Sequence, residues 1–236
     1  HVIENGIDIN KFNFKFKSIN NNSINIIMIG TICENKGQLD SIVILELLKN
    51  YKFKYNLTFV GDGPDLNILK KSISISNLSD TINNTPGTLY GCVCNSGITT
   101  FGGFLDYPRE SMDTLLKVNV SGTFFLIQFI AQRLKESNTK GSIVVTTSVT
   151  GHQAHPDLVA YGMTKGALIQ LVRNLVVELS PLGIRINAIS PGATLTERTA
   201  LISDFESQWT KITPMGTIAD VTDISNSISF MLSDKS

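Results

Sequence analysis

Cysteine, histidine and tryptophan are scarce in this 236-residue chain, which holds three, three and one of them. The cysteines, Cys33, Cys92 and Cys94, are odd in number and lack the paired C-x-x-C spacing of a zinc site, which argues against a disulfide framework and predicts a reducing, cytoplasmic setting. Cys92 and Cys94 alternate on what reads as a buried strand, where a thiol serves as a small apolar side chain. No acidic or cysteine partner is spaced to complete a metal site with His152 or His155, so none is expected. Excess charge is absent as well. Twenty basic residues balance twenty acidic ones, so neither nucleic acid nor an anionic membrane surface is implied as a partner. No apolar run approaches the roughly 18 to 20 residues of a membrane span, and no signal peptide precedes the first strand. Internal repeats are missing too. The chain begins His1-Val2-Ile3 and stops at Asp234-Lys235-Ser236, as a fragment would.

What is present is enough apolar sequence, 42% of residues, to bury a substantial core. Apolar runs bounded by turn residues predict strands near 25–30, 57–61, 89–94, 142–148 and 184–190. Longer segments with helical periodicity lie between them, the pattern of βαβ units and a parallel sheet. The clearest helix spans 160–180, where Ala160, Ala167, Leu168, Leu171, Val172, Leu175 and Leu179 recur at helical spacing before Pro181 and Gly183 stop it. A helix over 109–135 is expected to carry Leu115, Val118, Phe125 and Phe129 inward. A last one near 221–232 places Val221, Ile224, Ile228 and Leu232 on one stripe.

Composition divides the chain. Fourteen asparagines lie in residues 1–85 and six in 86–236, and the stretch from Ser79 to Gly87 ends in Pro86-Gly87, which is turn chemistry. A junction near residue 82 follows, with segments 1–82 and 83–236.

In the second segment Tyr161 and Lys165 lie four apart on the strongest predicted helix, so their side chains share a face one turn apart. A free phenol ionises near pH 10, and bringing it to neutrality takes about 4 kcal/mol. A neighbouring ammonium supplies part of that. Ser148 ends a strand thirteen residues earlier, and Asn119 lies in Lys117-Val118-Asn119-Val120-Ser121-Gly122. One strand runs into Cys94-Asn95-Ser96-Gly97, another into Ser190-Pro191-Gly192.

In order and spacing these five motifs resemble the short-chain dehydrogenase/reductase family, most of all 3-oxoacyl-acyl-carrier-protein reductases, over about 150 residues. The resemblance implies a Rossmann-like doubly wound sheet and hydride transfer between NAD or NADP and a small carbonyl or alcohol substrate. It makes Tyr161 the general acid/base and Lys165 the residue that lowers its pKa and bonds the nicotinamide ribose. Ser148 would hold the substrate oxygen, and Asn119 a water linking Lys165 to solvent. Asn95 and Gly97 would pass the adenine ribose, and Pro191, Gly192, Thr194 and Thr196 would meet the nicotinamide carboxamide. His152 and His155 fall in a stretch that lines the family's substrate pocket, although loop histidines usually face solvent.

The family's Thr-Gly-x-x-x-Gly-x-Gly loop, whose backbone cradles the pyrophosphate, does not occur in this chain. Residues 1–80 instead resemble the nucleotide-sugar-binding domain of family-4 GT-B glycosyltransferases. The matching blocks are Val2-Ile3-Glu4-Asn5-Gly6-Ile7-Asp8, Ile29-Gly30 with Lys36-Gly37, and Phe59-Val60-Gly61-Asp62-Gly63-Pro64. That resemblance implies that Lys36 contacts the donor diphosphate, while Gly61-Asp62-Gly63, a G-x-G after a strand, fits a tight turn or backbone amides offered to a phosphate. If both parts keep their local neighbours, one merged sheet of order 2-1-3-4-5 results. Three readings stay open: a reductase, a glycosyltransferase remnant that binds a sugar nucleotide, and a noncatalytic hybrid. A homo-oligomer is compatible with the first, weakened where the family's final strand is missing.

Overall fold

The computed structural model describes residues 23–29, 54–60 and 89–236. The chain forms two compact units, His1–Thr88 and Leu89–Ser236. In the first, strands β1 (Ser23–Ile29) and β2 (Lys54–Val60) pair in parallel, with Ser23 opposite Lys54 and Ile29 opposite Val60. Lys36, Gly61 and Gly63 lie outside the described residues.

The second unit is built on three parallel strands in the order β3 (Gly91–Cys94), β4 (Gly141–Thr146), β5 (Ile184–Ile189). These ladders hold the neighbours β2–β1 and β3–β4–β5 of the expected order. Strand β4 is central and buried along nearly its whole length, which is why it reads as a continuous apolar run rather than an alternating one. Successive residues on a strand point to opposite faces, and β4 shows what lies on each. A Cβ on Gly141 would meet Leu134 Cδ1 at 2.7 Å, whereas Ser142 Oγ donates to Met231 O at 2.9 Å. Leu134 belongs to helix α2 (Thr123–Glu136) and Met231 to a C-terminal helix, Val221–Leu232. Helices therefore cover both faces, a three-layer α/β arrangement.

Helix α1 (Arg109–Leu115) continues through a π-helical segment, Leu116–Gly122, into α2. A π-turn accommodates an extra residue, so everything after it is rotated relative to an unbroken α-helix. The expected inward residues shift by one accordingly. Leu115 is buried, but Asn119 replaces Val118 in the interior, Leu126 and Ile127 replace Phe125, and Ile130 replaces Phe129. Phe125 is instead 62% exposed. The same run, Arg109–Glu136, has an 18-residue window of mean hydropathy 1.4 and passes the length and composition test for a membrane span, which corrects the expectation that no run comes close. Its buried side packs on β3, as a core helix does.

Helix α3 (Val159–Leu179) follows β4 and a 3-10 turn, Val149–Gly151. It runs into a 3-10 turn, Ser180–Leu182, which Gly183 closes at φ 72°, the left-handed cap that glycine takes without penalty. After β5 the chain forms a two-residue strand, β6 (Thr194–Leu195), helices α4 (Glu197–Ala200) and α5 (Phe205–Ile212), and strand β7 (Ala219–Asp220), which pairs with β6. Helix α6 (Val221–Leu232) closes the unit, with Ile228 and Leu232 buried.

Candidate active site

The candidate residues gather where β3, β4 and β5 end. Ser148 follows β4 and caps the 3-10 turn, its Oγ accepting from Thr150 N at 3.2 Å. That turn lies directly on α3. A Cβ on Gly151 would come within 2.9 Å of Gly166 N, and one on Gly162 within 2.7 Å of Thr150 O. Glycine at these two positions lets Ser148 approach the Tyr161 side of the helix.

The hydroxyls of Thr99 and Ser148 lie on the Tyr161 side of the site and favour its phenolate. Lys165 Nζ stands 5.6 Å from the centre of the Tyr161 ring and donates to Thr146 O at 2.9 Å. Burial pushes the phenol up from its ordinary value of 10.0 and outweighs the opposing influences of Thr99, Ser148 and the Arg198 charge. The ammonium lies over the ring and is bonded to a carbonyl, and the groups that oppose burial are two hydroxyls and an arginine.

Asn119 is fully buried at the π-turn. Its Oδ1 accepts from Ile98 N at 2.8 Å while its Nδ2 donates to Ile98 O at 2.9 Å and to Thr164 Oγ1 at 3.1 Å. The side chain thus pins the loop after β3 to α3. A Cβ on Gly97 would sit 3.4 Å from Lys165 Nζ and 3.5 Å from Asn119 Oδ1, so Gly97, Asn119 and Lys165 converge. Asn95 precedes them at the end of β3. Pro191 O accepts from Val149 N at 3.0 Å, and Gly192 also lies beside Val149, its would-be Cβ 3.8 Å from Val149 Cγ1. Thr194 Oγ1 donates to Gly192 O at 3.1 Å, and Thr196 caps α4 through Thr199.

The two loop histidines point to protein neighbours. His152 Nε2 bonds Ser190 Oγ at 3.0 Å, and His155 stacks on Trp209 with ring centres 5.3 Å apart. Thr99 and Arg198 were missed at the sequence level. No spacing rule ties either to Tyr161, because Thr99 lies in the loop after β3 and Arg198 in α4. Cys92 and Cys94 place their sulfurs 3.9 Å apart within the sheet, and the Cys92 thiol together with burial holds Cys94 well above its ordinary range.

The family model described as Enoyl-(Acyl carrier protein) reductase matches residues 69–236, and the chain belongs to the short-chain dehydrogenase/reductase family. It is 35% identical to "Carbonyl reductase [NADPH] 2" of Sus scrofa over 147 residues, 61% of this chain and 60% of that one. The 3-oxoacyl-[acyl-carrier-protein] reductase FabG of Aquifex aeolicus is 28% identical over 210 residues, 89% of this chain and 80% of the relative. A solved structure titled "ElxO with NADP Bound" superposes with a TM-score of 0.68 at 25% identity, covering 89% of this chain and 92% of that one. The chain spans about three fifths of the length of the first curated relatives it matches.

Proposed function

We propose that the unit from Leu89 to Ser236 is the catalytic part of an NAD(P)-dependent oxidoreductase that interconverts a carbonyl compound and its alcohol. The observation that carries this is the gathering of Ser148, whose hydroxyl favours the Tyr161 phenolate, and Lys165, whose Nζ stands 5.6 Å from the centre of the Tyr161 ring, at the ends of the strands. Ser148 and Tyr161 together can hold a carbonyl oxygen between two donors. Tyr161, kept protonated by burial, delivers its proton to that oxygen during reduction and withdraws it during oxidation. Lys165 is fixed by Thr146 O, and Asn119 ties its helix to the loop after β3.

The surroundings fit the nicotinamide half of a dinucleotide. Gly97 leaves open a cradle that a Cβ would fill beside Lys165 Nζ. Asn95, Gly97, Tyr161, Lys165, Pro191, Gly192, Thr194 and Thr196 are the residues that would hold it. A bound coenzyme supplies or takes the hydride. The pyrophosphate half lacks the family's glycine-rich loop within residues 1–236, and each charge-assisted bond lost is worth about 1.5–3 kcal/mol. Losing two or three weakens binding by about a hundredfold to several thousandfold. Titration with NADH and NADPH by fluorescence is expected to give affinity far short of micromolar. Tyr161→Phe should remove ketone reduction at the highest coenzyme level reached. Reduction that survives Tyr161→Phe would refute the assignment.

A second reading concerns residues 1–82. The sequence blocks quoted above favour a glycosyltransferase-like segment, hence a hybrid chain. The Aquifex alignment favours a reductase segment, because 210 matched residues in a 236-residue chain must reach back into that region. Saturable binding of a uridine-diphosphate sugar, lost in Lys36→Ala, would support the hybrid, and its absence would remove it.

The partner we propose is a second copy. Helices α2 and α3 pack together and leave Phe124, Phe125, Val159, Met163, Val176 and Val177 exposed. Exposed apolar side chains on two adjacent helices are candidates for burial against another chain.

A further inference from the structure

The segments that follow β4 and β5 are joined by a chain of side-chain hydrogen bonds that the proposed reaction does not use. Thr147 Oγ1 donates to Ile189 O at 2.9 Å, Ser190 Oγ lies 2.6 Å from Thr147 Oγ1, and His152 Nε2 lies 3.0 Å from Ser190 Oγ. A hydroxyl has one proton to give, which fixes the direction of every link. Thr147 gives its proton to a carbonyl, which can only accept, so Thr147 accepts from Ser190. Ser190 in turn accepts from His152, whose Nε2 must carry a proton. A chain that ends on a carbonyl conducts no proton, so it serves as a strut.

The strut spans two parts of the site. His152 closes the 3-10 turn that Ser148 opens, its N–H donating to Val149 O at 2.9 Å. Ser190 precedes Pro191 and Gly192. Backbone bonds tie only the near end of the turn to that segment, Thr147 N to Ile189 O at 2.8 Å and Val149 N to Pro191 O at 3.0 Å. His152 ties the far end, so the turn cannot pivot about those two bonds. The ring is exposed, and its bond therefore contributes more to direction than to folding stability. We propose that His152 is a positioning residue. By holding the far end of the turn to Ser190, it sets the separation between Ser148 and Pro191-Gly192, and with it the alignment of the substrate oxygen with the nicotinamide. This rests on the oxidoreductase reading above.

The first test needs neither coenzyme nor turnover. At about pH 9, where an imidazole is neutral, nitrogen NMR should show His152 wholly as the Nε2–H tautomer, and Ser190→Ala should admit the Nδ1–H form. Loss of the signal in His152→Gln assigns it among the chain's three histidines. An Nδ1–H form in the wild type, or no change in Ser190→Ala, overturns the proposal. The second test is reduction of methyl 3-oxobutanoate with NADPH. His152→Ala should lower kcat/KM roughly tenfold to a hundredfold, the scale of a misaligned reaction centre, while NADPH affinity by fluorescence stays within about threefold. The isotope effect of NADPH deuterated at C4 should rise in the same variant, because misalignment slows the hydride step itself. Partial unfolding would remove active molecules and leave that isotope effect unchanged. His152→Gln, which keeps an N–H donor near the Nε2 position, should recover most of the rate, and Ser190→Ala should add nothing to His152→Ala. Equal rates and isotope effects in wild type and His152→Ala overturn the proposal, as does a loss that His152→Gln fails to recover. If the tautomer is as stated but the wild type reduces none of the ester, or Tyr161→Phe reduces it equally, the oxidoreductase reading fails and this role fails with it.

Discussion

Tyr161 shows how one residue can have a recognisable identity and an unrecognised environment. Its spacing to Lys165 marks it in the sequence, yet its proton affinity is set by burial, which raises it, and by Thr99, Ser148 and Arg198, which lower it in part. The sign has a consequence. A phenol raised above 10.0 stays protonated below that pH, so ketone reduction, which needs the protonated form, should hold its kcat/KM up to and beyond pH 10 before falling. Alcohol oxidation needs the phenolate and should rise with pH over the same range. Arg198→Gln removes a lowering influence, so both limbs should move to higher pH. Profiles of kcat/KM in both directions at saturating coenzyme check this, and an oxidation rate that levels off near neutrality would contradict it. Asn119 carries a parallel lesson. The sequence places it in a helix, and only packing shows that it holds both backbone groups of Ile98.

At the scale of elements, helix–turn contact decides whether Ser148 and Tyr161 meet. Gly151 and Gly162 let the 3-10 turn rest on α3 with backbone nearly touching backbone. In Gly151→Ala the new methyl would meet Ile169 Cδ1 at 2.7 Å and the backbone of residues 165 and 166 at 2.9 Å. Backbone cannot rotate away, so the turn must lift, which costs about 1–3 kcal/mol by analogy with overpacked cores. Thermal or urea unfolding should show that loss. Ketone reduction should fall more than tenfold although residue 151 belongs to none of the acid/base pairs. A variant with native stability and activity would show that the close approach is unnecessary. The π-turn at Leu116–Gly122 is the second element-scale determinant. It places Asn119 inward and turns Phe125 outward, and apolar periodicity alone assigns the opposite, because an extra residue per turn is invisible to a pattern read at a constant 3.6 period.

For the molecule as a whole, the exposed faces of α2 and α3 predict self-association. Replacing Phe125 with Glu should shift the chain toward monomer in light scattering at micromolar concentration while leaving its far-ultraviolet circular dichroism unchanged, since that side chain is 62% exposed in the single chain. A wild-type chain that is monomeric at tens of micromolar would remove the second copy as the cover for this face.

The sequence by itself determined the βαβ alternation, the strands at 141–146 and 184–189, the helix that carries Tyr161 and Lys165, and the turn glycine that ends it. Each is written in local periodicity or in the backbone freedom of one residue. It also determined the family, because five short motifs kept their order and spacing. Only the tertiary structure decided which groups surround the Tyr161 hydroxyl. Thr99 and Ser148 follow β3 and β4, and Arg198 lies in α4 after β6, so no shared period links any of them to Tyr161. The extent of burial around the Tyr161 phenol, which raises its pKa, was hidden for the same reason, since it depends on how much water the assembled layers exclude.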